Sequence, residues 1–173
     1  CTEAIRRGEL PSGERNTLLA SMTDDVAQHV LAHNYAQTGA LSSAERSARR
    51  DHDALERLMV RLEQRGVLDR QVEGLPSTAE MAQFKQDGRV LTRPEIAILM
   101  AWTKIVLFDD LVASSVPDDP YFQHTLQSYF PAALKTYSDV MQAHRLKREI
   151  ISTVLANRII DIAGPVFMLR LRE

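Results

Sequence analysis

Apolar residues recur along most of the chain at three- and four-residue spacing and almost never alternate with polar ones. Spacing near the helical repeat gathers them on one face of a helix, whereas alternation marks a strand, so the pattern predicts an all-α fold. The densest apolar run lies in LTRPEIAILMAWTKIVLFDDLVAS, residues 91–114, where only Thr103 and Lys104 interrupt the stretch from Ile96 to Phe108. A helix that is apolar nearly all round must be surrounded. A bilayer span needs about 20 such residues, and this run is bounded by Glu95 and Asp109. It is expected as the buried central helix of a single compact domain of about eight helices.

Turn and cap signals divide the rest. Ser12 and Gly13 open a short helix through Met22. Thr23 caps the next, with Asp24 and Asp25 in the first turn where the helix dipole favours acids. That helix carries Val26, Val30 and Leu31 toward Gly39. A further helix is expected from about Leu41 to Arg65, with Leu55, Leu58, Met59 and Leu62 on its apolar face and Gly66 as its stop. Ser77 with Glu80, and Thr92 with Glu95, match the reciprocal capping box. Asp119 before Pro120 reads as a cap followed by a first-turn proline, Pro131 starts another helix, and a last long one runs from near His144 to Ala163, before Gly164-Pro165. Residues 1–11 are expected to be a linker or edge and residues 12–173 the helical domain of a larger protein.

Composition narrows the function classes. The 173 residues are 45% hydrophobic and 25% charged, with a formal net charge of −2, so no excess of Lys and Arg argues for nucleic acid or an anionic membrane. The basic patches SARRDH and HRLKRE are interleaved with acids and lack aromatic residues to stack bases. One cysteine, Cys1, cannot form an internal disulfide or a thiolate cage, and the start has neither methionine nor an apolar leader. A segment of a longer cytoplasmic protein is expected.

No complete active site is legible. Lys104 is expected to run its stem along apolar surface and its head to water, although burial could make it a reactive amine. Asp109 and Asp110 sit near a helix C-terminus, where exposed carbonyls already make the field negative. Compensating cations are expected from Arg93 or from Arg145, Lys147 and Arg148; two adjacent helical carboxylates point about 100° apart and make a poor metal site alone. Asp25, His29 and His33 fall every fourth residue, yet Val30 stands where a zincin places its glutamate, so no metal ligand is assigned. His52, His124 and His144 are isolated. The glycines form neither G-x-G-x-x-G nor a P-loop. Along the last helix Leu146, Ile150, Val154, Asn157 and Asp161 share a face, which makes Asn157 and Asp161 candidates for bonds to neighbouring helices or another domain.

Four stretches together resemble the very large bacterial NAD-specific glutamate dehydrogenases: SMTDDVAQHVLAHNYAQTGALS, residues 91–114, VPDDPYFQHTLQSYFP and HRLKREIISTVLANRIIDIAGPVF. Their order and spacing are similar to the C-terminal region of that family. The resemblance implies a parent enzyme that oxidises L-glutamate to 2-oxoglutarate and ammonia with NAD, its catalytic lysine, acid and nicotinamide-binding fold lying in the preceding domain. It carries no catalytic, cofactor or metal residue onto this chain and implies no cofactor in this fragment. The partners it implies are the catalytic domain of the same chain and further copies in a homo-oligomer, with neither nucleic acid nor membrane. A free-standing helical adaptor is the alternative.

Overall fold

The computed structural model describes residues 1–170, and among these there is no strand. Eleven α-helices follow one another: α1 Thr2–Arg6, α2 Arg15–Ser21, α3 Thr23–Ser47, α4 His52–Gln64, α5 Arg70–Glu73, α6 Thr78–Asp87, α7 Arg93–Ala113, α8 Gln123–Tyr129, α9 Ser138–Gln142, α10 Lys147–Ala163 and α11 Phe167–Arg170. The all-α expectation holds. The count passes eight because α1, α5, α9 and α11 have five residues or fewer, too short for a periodic signal. No helix among the described residues is long and apolar enough to cross a membrane.

Contacts gather the chain into two units, each built from two separate stretches. The first comprises Cys1–Tyr35 and Asp110–Leu155. Within it Ala4, Leu10, Met22, Leu126, Met141 and Ile151 are buried. Asp119 caps the 3-10 turn Pro120–Phe122, accepting from the Tyr121 amide at 2.8 Å, with Pro120 in the first position as expected.

The second unit takes residues 36–109 and the described residues from 156 onward. Ile96, Leu99, Met100, Thr103, Val106 and Leu107 of α7 are buried, Ile96, Leu99 and Thr103 completely. The mid-helix Thr103 hydroxyl donates to the Leu99 carbonyl at 2.6 Å, which is how a polar group survives there. Leu55, Leu58, Met59 and Leu62 of α4 pack inward as their spacing predicts. The Ser77–Glu80 capping box is present in full at the start of α6. At Thr92 the Glu95 carboxylate reaches back to the Thr92 amide and hydroxyl.

Two boundaries differ from expectation. Gly39 does not end a helix: α3 runs through it to Ser47, because an interior glycine costs only about 1 kcal/mol and the flanking residues favour helix. The break falls instead between Ser47 and His52, with Ala48 buried in the turn. The last long helix begins at Lys147, which leaves Leu146 outside it and exposed. Its buried positions are Ile151, Ser152, Ala156 and Ile160, so the inward face is rotated away from the one anticipated.

Candidate functional site

A largely enclosed charge pair of the second unit joins α7 to α10. Lys104 Nζ of α7 lies 2.7 Å from Asp161 Oδ1 of α10, with side chains only 17% and 14% exposed. The approach is that of an ion pair rather than an aligned hydrogen bond. This corrects the expectation that Lys104 sends its head to water: the neighbouring turns of α7 are apolar, and a carboxylate on a facing helix replaces solvent around the ammonium. Asp161 thus meets α7 through charge. Asn157, one turn earlier, is half-buried.

Asp161 also lines a cleft of about 190 Å³ with Ser43, Ser47, Arg50 and Asp51. Arg50 is already engaged, its Nε 3.1 Å and its Nη2 3.3 Å from the two oxygens of Asp51. That bond raises the guanidinium's pKa further. Ligand sites usually offer roughly 300–1,000 Å³, and two carboxylates in the wall repel a pyrophosphate. Gly74 and Gly88, with φ near +67° and +68°, serve as left-handed ends of α5 and α6 rather than as a phosphate loop. These residues do not fit a nicotinamide dinucleotide.

The remaining candidates have structural partners. Arg93 donates to Ser42 Oγ at 3.1 Å and to Glu45 at 2.7 Å, both on α3, instead of answering the acidic end of α7. Arg148 does answer that end within the first unit: one Nη donates to the carbonyls of Val112 and Ser114 at 2.7 and 2.8 Å, and the other pairs with Asp118. The cation required by the exposed carbonyls is therefore present, aimed at backbone and at Asp118. Asp109 is exposed, Asp110 half-buried, Arg145 exposed and Lys147 half-buried. His29 stands 3.9 Å from Asp25, and no group of three or more His, Cys, Asp or Glu side chains that could hold a metal occurs among the described residues.

A polar cluster around Arg70 was not foreseen. Its guanidinium is buried at the start of α5, with Nη1 3.1 Å from Glu56, 3.2 Å from the Pro76 carbonyl, and Nε 3.0 Å from Glu63. Thr78 donates to Glu56 at 2.7 Å, and the Trp102 indole donates to Glu73 at 3.1 Å. These bonds tie α4, α5, α6 and α7 together. On the rim Lys85 lies 2.7 Å from both oxygens of Asp53, and that contact holds the Asp53 carboxyl below its ordinary range. These contacts fix helices against one another.

Comparison with known proteins supplies what the geometry leaves open. The family described as "Glutamate dehydrogenase, C-terminal" matches residues 88–173, and that described as "Bacterial NAD-glutamate dehydrogenase, catalytic domain" matches residues 1–44. The second match extends well past Ser12, where the helical domain was expected to begin. NAD-specific glutamate dehydrogenases from Pseudomonas aeruginosa, Halomonas elongata and Mycobacterium tuberculosis are 45%, 43% and 37% identical to this chain. The matches cover 99%, 99% and 98% of the chain but 11%, 11% and 10% of the relatives. The chain thus spans about a tenth of the length of these curated relatives. No solved structure matches it.

Proposed function

We propose, from the premise that this chain belongs to the family of bacterial NAD-specific glutamate dehydrogenases, that it contributes structure and assembly rather than chemistry to such an enzyme. The whole protein oxidises L-glutamate to 2-oxoglutarate and ammonia with NAD as the hydride acceptor. It does so in the cytoplasm and as a homo-oligomer. Residues 1–44 close the catalytic domain, and the rest is the helical portion that follows it. No catalytic or NAD-binding residue is assigned to this segment.

The observation that carries the reading is the engagement of three cations. Lys104 is answered by Asp161, Arg70 by Glu56 and Glu63, and Arg148 by the carbonyls ending α7. Groups committed to one another in this way hold helices in place and are poorly free to move protons for a substrate. The adaptor reading loses ground because the match covers nearly the whole chain inside much longer enzymes.

Calorimetric titration of the 173-residue segment with NAD is the test. The proposal expects no saturable heat at micromolar cofactor, alongside binding by the full-length protein. A micromolar dissociation constant for the segment alone would place cofactor-binding residues within it.

A further inference from the structure

The first half of α3 presents an apolar face that its own unit leaves open. Val26, Val30, Leu31 and Tyr35 are 46%, 53%, 54% and 77% exposed. At about 100° per residue they fall within an arc of roughly 180°, with Thr23, Asp24, Ala27, Asn34, Gln37 and Thr38 between them. Asp25 ties this stretch to the rest of its unit, accepting from the Ala132 amide at 2.6 Å. It lies about 170° from the middle of that arc. Every residue from Val26 to Gly39 is exposed, so this stretch of α3 buries no face against the described residues and leaves its large apolar side chains uncovered. Large apolar side chains gathered on successive turns form a patch of the kind that marks an interaction site.

Two findings indicate what covers the patch. All four side chains lie in residues 1–44, which match the catalytic-domain family, whereas the chain from residue 88 matches a different one. The relatives that contain both parts are far longer, this chain corresponding to only 11% of two of them. The catalytic-domain match stops at residue 44 while α3 continues to Ser47, so one uninterrupted helix runs from the patch out of the matched stretch.

We infer that the face of Val26, Val30, Leu31 and Tyr35 is buried against the catalytic domain of the same chain. In this arrangement α3 is a strap, its first turns part of the catalytic domain's packing and its last turns part of the helical portion. The inference rests on the functional reading above and names the surface through which this segment joins the enzyme.

The test uses the full-length chain with a photo-crosslinking amino acid at Leu31, assembled from equal parts of ordinary and nitrogen-15-labelled subunits. The expected products join Leu31 to a peptide of the preceding catalytic domain, with both peptides carrying the same isotope. Mixed-isotope products would mean that a second copy covers the face, and products confined to this segment, or none, would mean that the catalytic domain does not; each overturns the inference. A second measurement combines Val30→Asp with Leu31→Asp, at exposed positions where the segment's own fold is spared. Amide exchange over residues 26–35 of the full-length chain should then rise by about tenfold or more, and an unchanged rate would contradict burial. Glutamate-dependent NADH formation by the untouched protein separates the two claims. Turnover with mixed-isotope products defeats only the docking, whereas absence of turnover defeats the functional reading whatever the crosslinks show.

Discussion

At Lys104 and Asp161 two charges that would each be costly alone are tolerated because they meet. Replacing Asp161 by Ala leaves an ammonium largely shielded from water, an expected loss of about 2–4 kcal/mol in urea denaturation of the chain. Lys104→Met combined with Asp161→Leu should recover most of that loss, since well-packed apolar groups often match a buried pair. Equal destabilisation by the double and single variants would show that the pair is not the determinant. The rim pair behaves differently. Asp53 is held below its ordinary range by Lys85, and Glu80 by its bonds from Ser77. A carboxyl depressed in the folded state adds stability above its unfolded pKa, and that contribution disappears as pH falls through the folded value. The thermal midpoint should therefore fall on acidification below about pH 4, and Asp53→Asn should flatten the decline. The separate charges were legible in sequence, Lys104 within an apolar run and Asp161 on an apolar helix. Their pairing was not, because 57 positions separate them and periodicity within one helix does not say which neighbour it meets. Arg70 was missed for a related reason: its burial comes from Glu56, Glu63 and Pro76, not from its immediate sequence.

Helix ends supply the next scale of control. Ser77 and Glu80 close a reciprocal cap on α6, and Ser77→Ala should cost about 1 kcal/mol, read as a shift in the denaturation midpoint. Arg148 satisfies two carbonyls at the end of α7. Arg148→Met should cost about 1–2 kcal/mol, and a variant of unchanged stability would mean that water replaces the guanidinium without loss. Caps are local, which explains why Ser77, Asp119 and the stop at Gly66 could be read directly from sequence. The end of α3 could not. Gly39 resembled a stop, but a long helix absorbs one glycine, and the actual break at residues 48–51 carries no glycine or proline. The face of α10 was misread because one polar residue per turn does not fix which side meets the core.

For the whole molecule, the all-α class followed from periodicity alone, whereas α7 buries one face between Ile96 and Leu107 and leaves Ala101 and Ile105 exposed, less enclosed than its apolar run suggested. Leu99 is completely buried, so Leu99→Asp should abolish folding or cost several kcal/mol, seen as loss of the cooperative transition in circular dichroism. The site was legible in the sequence only as an absence of known motifs, while the partners of Lys104, Arg70 and Arg148 come from distant parts of the chain. The exposed half of α3 shows the limit of reading a segment by itself: Val26, Val30 and Leu31 have helical spacing, but spacing cannot say whether the covering surface lies inside this chain segment or in the domain that accompanies it. Glutamate-dependent NADH formation, measured side by side on the full-length protein and on residues 1–173 at equal molar concentration, tests the division of labour most directly. Turnover by the full-length protein and none by the segment is the predicted result; sustained turnover by the segment, or none by the full-length protein, would contradict it.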